Sequence, residues 1–239
     1  MPLMAARFYI PPTNWLNDLL PEEEAKHALR VLRIKEGETI ELFDGKGRVA
    51  EAVVKTCTNK SLQYVIIDEQ SVAPITPSIH LYQSIPKGKN MDLIIQKAVE
   101  LGVAEITPLI TQNTVAVSGS PAKKVEKWQR VALEACKQCK QPWLPQVNLP
   151  ASIDSVTADE SDLKLVASLR PNAVRMRQVV SDHAEATSIA LVVGPEGDFT
   201  SSEVDSAEAS GFIPISLGEL ILRVETATLY GISALRYAY

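Results

Sequence analysis

The sequence predicts an α/β protein in two parts, a small β-rich domain over residues 1–72 and, over 73–239, a mostly parallel sheet covered by helices. Three observations carry this reading. Short strand-like runs joined by turns fill the first 70 residues, and a stretch with two prolines, Ser71-Val-Ala-Pro-Ile-Thr-Pro77, interrupts regular structure. Beyond it, apolar strand-like runs alternate with helical patterns, as they do when helices cover a parallel sheet.

In chain order, Thr39–Phe43 and Arg48–Lys55 read as strands around a turn at Asp44-Gly45-Lys46-Gly47, and Ser61–Asp68 as a third, together a small antiparallel barrel or sheet. A helix opens at Pro21, with Glu22, Glu23 and Glu24 in the first turn where acids suit the helix dipole, and runs to about Leu32. Past the break, strands are expected at Ile79–Ile85, Glu105–Ile110, Leu163–Leu169, Ile189–Val193 and Ile213–Leu217. Helices are expected at Met91–Leu101, Ala122–Cys139, Thr200–Ser210 and Glu225–Tyr237.

Composition narrows the function. A hydrophobic fraction of 46% with 22% charged residues excludes a disordered or fibrous chain. Apolar runs such as Ile189–Val193 fall far short of the roughly 20 residues that span a bilayer, and the N-terminus has no basic stretch followed by an apolar one, so a cytoplasmic protein with no membrane contact is expected. Cys57, Cys136 and Cys139 make no disulfide framework, which fits a reducing compartment. Cys136 and Cys139 have the spacing of a metal half-site, yet they lie inside a helical pattern and no second half-site accompanies them, so no metal is expected. The net charge of −5 means that any nucleic-acid binding must come from local patches. One candidate is Lys26-His27-x-x-Arg30-x-x-Arg33-x-Lys35, where Arg30 and Arg33 share a helix face and can bridge phosphates; a solvated helix face reads the same way.

Two segments stand out as site candidates. Val193-Gly-Pro-Glu-Gly-Asp-Phe-Thr200 leaves an apolar strand and enters a helix whose start, Thr200-Ser-Ser-Glu203, reads as a capping box. It lacks the Gly-Lys-Ser/Thr of a Walker loop and the six-position dinucleotide fingerprint, and a plain strand-to-helix turn fits it too. Some twenty residues on, Ser216-Leu-Gly-Glu-Leu-Ile-Leu-Arg-Val-Glu-Thr-Ala227 again brings glycine and charge to the end of an apolar strand, so the two loops can wall one pocket.

Taken together, these segments resemble the SPOUT superfamily of trefoil-knotted methyltransferases, and within it the bacterial 16S rRNA uridine-N3 methyltransferases. Gly-Pro-Glu-Gly falls at 194–197, Leu-Gly at 217–218, Leu-Arg-x-Glu-Thr at 222–226 and Gln-Lys-x-x-Glu-Leu-Gly at 96–102. Ile106-Thr-Pro-Leu109, Trp128-Gln-Arg130, His27-x-x-Arg30-Val-Leu-Arg33 and Phe43-Asp-Gly45 fall in family order, so the resemblance covers nearly the whole chain. Departures are Asp198, Glu219 with Leu220, and Val224 near the pocket, while Asn113 and the segment 140–145 stand where relatives often carry arginine, which implies weaker RNA contacts there.

The resemblance implies S-adenosylmethionine as methyl donor, without a metal, bound in a knot formed by the loops after Leu169, Val193 and Leu217. It assigns donor binding to Leu169, Gly194, Pro195, Glu196, Gly197, Ser216, Leu217, Gly218, Leu222 and Thr226. Gly194, Gly197, Leu217 and Gly218 suit close main-chain approach. Arg223 is the candidate for stabilising charge that forms on the uracil ring, and Glu225 for orienting Arg223 or accepting the N3 proton. The first domain becomes a PUA-like RNA-binding barrel using His27, Arg30, Arg33 and, more weakly, Arg7; the partners are 16S rRNA or the small ribosomal subunit and a second copy of the chain. The apolar helix 225–237 suits a dimer interface and equally its own sheet. The alternatives are a SPOUT enzyme for another RNA position and a non-catalytic RNA-binding relative.

Overall fold

A computed structural model describes residues 5–88, 90–114 and 120–239. The chain divides into two units, 1–74 with 136–144, and 75–135 with 145–239. The return of 136–144 to the first unit has no counterpart in the sequence reading.

In the first unit, β1 (Ala6–Tyr9), β2 (Thr39–Phe43), β3 (Arg48–Cys57) and β4 (Leu62–Ser71) form one sheet in the order β1-β2-β3-β4. β2, β3 and β4 pair antiparallel, whereas β1 lies parallel to β2, a pairing the turn spacing did not reveal. The β2–β3 turn forms because Asp44 Oδ1 accepts from the Lys46 and Arg48 amides at 2.7 and 3.0 Å. Gly45 and Gly47 take positive φ there, and a Cβ on Gly47 would sit 2.6 Å from the Trp143 ring. Phe8, Ile40, Leu42, Leu62 and Tyr64 build the core. Tyr64 is buried because its hydroxyl donates to Asn17 O at 2.8 Å, and burial pushes that phenol up to about 12.

The expected helix over 21–32 exists but changes pitch. α1 (Glu22–Lys26) is α-helical, His27–Leu32 widens to a π-helix, and Arg33 ends it in the left-handed region at φ 57°.

The second unit holds β5 (Ser78–Ser84), α2 (Asn90–Glu100), β6 (Glu105–Ile110), most of α3 (Pro121–Cys139), the two-residue strands β7 (Gln146–Val147) and β8 (Ala151–Ser152), β9 (Leu163–Ala167), β10 (Val174–Arg175), α4 (Met176–Asp182), β11 (Ser188–Val193), α5 (Ser201–Ala209), β12 (Ile213–Ser216) and α6 (Val224–Ala238). The sheet order is β10-β12-β9-β11-β5-β6-β7, with β8 beside β6, and every described pairing is parallel. All strand carboxyl ends therefore face one way, and three neighbours, β12, β9 and β11, release their loops side by side. The five long strands and four long helices lie within about two residues of their expected bounds. β10 and α4 were not expected; each is short, and β10 is solvent-exposed.

Tyr82, Val166, Val192, Phe199 and Phe212 anchor the core of this unit. A polar cluster crosses its rim. Asp159 accepts from the Tyr82 hydroxyl at 2.9 Å and the Ser161 amide at 2.8 Å, and lies 3.3 Å from His80 Nδ1. Burial opposes its ionisation, but the hydrogen bonds from His80, Ser161 and Tyr82 outweigh that and hold the carboxyl below the usual carboxylate range. Arg236, near the end of α6, is half-buried and donates to the Leu101, Pro77 and Gly102 carbonyls. The apolar face of α6 packs on β11 and α2, and a Cβ on Gly231 would lie 3.1 Å from Leu191 Cδ2. Its own sheet thus accounts for that face, while Tyr230 and Tyr237 stay exposed. Among the described residues no helix is long and apolar enough to cross a membrane.

Candidate functional site

The loops that leave β9, β11 and β12 enclose a cleft of about 730 Å³. Carboxyl ends of parallel strands are where α/β sheets place ligands, since only there do several loops converge on rigid supports.

The β11 loop is held by its own main chain. The Asp198 amide donates to Pro195 O at 2.9 Å, and Asp198 adopts φ 57°, a left-handed conformation that Asp tolerates because its carboxylate accepts from Phe199 N at 2.8 Å. The Asn113 amide fastens the same turn from β6, donating to Gly197 O at 3.0 Å and Asp198 O at 2.9 Å. The capping box then starts α5: the Glu203 amide donates to Thr200 Oγ1 and Glu203 Oε2 accepts from the Thr200 amide.

In the β12 loop, Ser216 Oγ donates to Gly218 O at 3.1 Å and accepts from Gly218 N at 3.3 Å. Gly218 has φ 131°, closed to most side chains, and nothing lies within 4 Å of a Cβ there, so its backbone faces open space in the cleft. Leu169, Leu220 and Ile221 are 61%, 78% and 82% exposed on the cleft wall, apolar surface with no protein to cover it.

Arg223 is the N-cap residue of α6 and Glu225 lies in its first turn. Both line the cleft. The Arg223 side chain is exposed and has no hydrogen bond or ion pair among the described residues. Glu225 accepts from Asn90 Nδ2 at 3.3 Å, so its described partner is Asn90 and not Arg223, against the expectation that it orients the arginine. Beneath them, fully buried Thr228 donates from Oγ1 to Gln83 Oε1 at 2.5 Å and fixes the first turns of α6 to β5.

Of the sequence-derived donor residues, Leu169, Gly194, Pro195, Glu196, Ser216, Leu217, Gly218 and Leu222 line the cleft. Gly197 and Thr226 do not; a Cβ on Gly197 would instead meet Asn113 at 3.2 Å. The sequence reading missed Asn90, Ser168, Arg170 and Ile221. Asn90 follows the carboxyl end of β5, and that position was the available signal.

In the first unit His27, Arg30 and Arg33 are exposed, and neither arginine has an ion-pair partner among the described residues. They do not share one α-helical face, because the π-turn and the left-handed Arg33 intervene. Arg7 does not belong to this patch. Its side chain is 4% exposed, paired with Glu41 at 3.1 Å and stacked 4.3 Å from the Phe43 ring centroid, and burial lowers its pKa. Glu41 and Phe43 of the neighbouring β2 bury it on the face opposite Phe8, which a residue count cannot disclose. Cys136 is buried, donates to Trp143 O, and has its thiol pushed up to about 12 by burial, the state of a structural cysteine.

The geometry defines an α/β domain with a small-molecule cleft at a strand-end crevice, and a separate β unit bearing exposed cations. Comparison with known proteins makes this specific. The family pattern described as an RNA methyltransferase domain matches residues 74–236, and that of an RNA methyltransferase PUA domain matches 20–67. The chain is 31% identical to ribosomal RNA small subunit methyltransferase E of Synechocystis sp., covering 94% of this chain and 75% of that protein, and 30% identical to the protein of that name from Aquifex aeolicus, covering 91% and 93%. Among solved structures, a methyltransferase of Legionella pneumophila in complex with the bound cofactor SAM superimposes with a TM-score of 0.89 at 32% identity over 99% of this chain and 98% of that one. A ribosomal RNA small subunit methyltransferase E from Neisseria gonorrhoeae bound to S-adenosyl methionine gives 0.88 at 32% identity over 98% and 97%. The chain belongs to the ribosomal RNA small subunit methyltransferase E family.

Proposed function

We propose that this chain transfers a methyl group from S-adenosylmethionine to N3 of a specific uridine in 16S rRNA. The observation that carries the reading is the unpartnered Arg223 guanidinium on the wall of a cleft made by three converging strand-end loops.

The cleft suits such a donor. Open main chain at Gly218 and the uncovered Leu169, Leu220 and Ile221 offer peptide groups and apolar surface to an adenine, and the carboxylates of Glu196, Asp198, Glu219 and Glu225 favour a cation. Leu169, Gly194, Pro195, Ser216, Leu217, Gly218 and Leu222 would hold it. When bound, S-adenosylmethionine supplies an electrophilic methyl group on a sulfonium, so positioning of the acceptor nitrogen is the main requirement left to the protein.

Uracil N3 carries a proton in the neutral base. As that proton leaves, negative charge spreads to the flanking ring oxygens, and Arg223, free of carboxylate partners, donates to one of them. Glu225 accepts from Asn90 through Oε2, which leaves Oε1 to take the proton. Exposed His27, Arg30 and Arg33 on the first unit, a PUA-like domain over 1–74 joined by 136–144, grip RNA phosphates, while 75–135 with 145–239 forms the knotted catalytic domain. The exposed Tyr230 and Tyr237 on α6 support a homodimer, and the enzyme works in the cytoplasm, where its substrate is assembled. Methyl transfer from labelled donor to small subunits lacking the modification, followed by mapping of the labelled nucleotide, tests the reading; label at a position other than a uridine base would refute it.

A further inference from the structure

Charge at the cleft is unbalanced in a way that bears on the acceptor. Four carboxylates line it, Glu196, Asp198, Glu219 and Glu225, against two guanidiniums, Arg170 and Arg223. Arg170 is already engaged, donating to Asp205 at 2.7 Å, to Glu208 at 3.1 Å and to Ser201 O. A cationic donor gains from this field, but a target nucleotide brings a phosphate on each side, and those are repelled. If Arg223 serves the base, another cation must meet the backbone.

Lys87 is placed to do so. β5 pairs with β11 through Gln83 opposite Val193, so the segment after β5 runs beside the one that forms the cleft wall. The Lys87 amide donates to Glu196 Oε1 at 2.9 Å, a bond that ties the two segments together. Gly88 follows at φ 71° with nothing within 4 Å of a Cβ, so the turn faces open space. The Lys87 side chain is exposed and has no hydrogen bond or ion pair among the described residues.

We propose that Lys87 contacts an RNA phosphate flanking the target nucleotide, and that Glu196, expected from the sequence to bind the donor, is a positioning residue that holds Lys87 in place. The inference rests on the rRNA-methylating reading of the same cleft. It separates the two sides of the site, with glycine-rich main chain toward the donor and the β5 segment toward the acceptor backbone.

The test uses the full chain and four variants, Lys87→Ala, Lys87→Arg, Glu196→Ala and Glu196→Gln, with filter binding of a 16S rRNA fragment over a salt series, half-saturating RNA in single-turnover transfer, and calorimetric donor titration. Lys87→Ala is expected to lower the salt slope by about one counterion and raise half-saturating RNA about three- to tenfold, with Lys87→Arg near wild type. Glu196→Ala should move in the same direction and Glu196→Gln should not, since an amide oxygen still accepts from the Lys87 amide. Donor affinity should hold in both Lys87 variants, while loss of the Glu196 charge should lower it at most modestly and to the same extent in Glu196→Ala and Glu196→Gln. An unaltered salt slope in Lys87→Ala, or a loss of donor affinity in Glu196→Ala with RNA binding intact, overturns the proposal. If the wild type transfers no methyl group, the activity reading fails, and the binding slope still decides the role of Lys87.

Discussion

Replacing Arg223 with alanine separates catalysis from scaffolding, because the structure fixes what each would cost. The side chain is exposed and makes no hydrogen bond or ion pair among the described residues, and its backbone at φ −66°, ψ 155° is open to any residue. Its loss therefore leaves no buried group unpaired, and stability should change by about 0.5 kcal/mol or less. If the guanidinium stabilises charge on the uracil ring, the variant forfeits one preorganised charged donor, about 2.7–4 kcal/mol or a factor of about 100–1000 in rate. Lysine should restore little, since a flexible ammonium does not reproduce a planar fork. The assay is single-turnover methyl transfer at saturating donor and RNA, beside a donor titration and a thermal melt. Full turnover in the alanine variant would refute the catalytic assignment. So would a joint fall in donor affinity and melting temperature with turnover preserved, which is the mark of a loop-fixing residue.

Three further outcomes are expected. Gly218→Leu should weaken donor binding at least tenfold, because φ 131° strains any L side chain by about 1–3 kcal/mol and the new chain enters the cleft; undiminished calorimetric affinity in a folded variant would remove this loop from the donor site. Arg30→Ala with Arg33→Ala should flatten the salt dependence of RNA binding by one to two counterions and leave donor affinity alone, and an unchanged slope would mark a merely solvated segment. Asp159→Asn should cost about 1–3 kcal/mol at pH 7, since it disturbs a buried set of hydrogen bonds. The carboxyl titrates lower in the folded chain than in the unfolded one, so its contribution is present above the unfolded value of about 3.9 and is lost as pH falls toward the folded one. The gap between wild type and variant in urea denaturation should therefore narrow below about pH 4, and a constant gap would show that ionisation is not its source.

Features governed by local periodicity and turn chemistry were legible in the sequence. The Asp44–Gly47 turn, the Thr200 cap and the long strands and helices each follow from residues within a few positions of one another. The cleft was legible because Gly194–Glu196 and Ser216–Gly218 end strands that turn out to flank β9. What escaped depends on distant partners. Arg7 is basic and near the N-terminus, but the Phe43 ring and Glu41 that bury it are reached only through a parallel pairing. Arg33 lost its helical partner because the π-turn rewrote the spacing that joined it to Arg30. Asn90 reached the site through Glu225, 135 positions away, and Glu196 found its partner in the Lys87 amide, 109 positions away. Charge and glycine content marked the loop, but its partners across the sheet are set only in the folded chain.

Methylation of a uracil nitrogen by the three-loop cleft, as proposed, can be read from the product itself. Small subunits lacking the modification, incubated with wild-type and Arg223→Ala protein and isotopically labelled S-adenosylmethionine, can be digested to nucleosides and resolved by mass spectrometry. About one labelled 3-methyluridine per wild-type-treated subunit is expected, with a rate lower by about two to three orders of magnitude for the variant. Label in ribose, in another base or at carbon 5 of uracil, or equal rates for the two proteins, would contradict it.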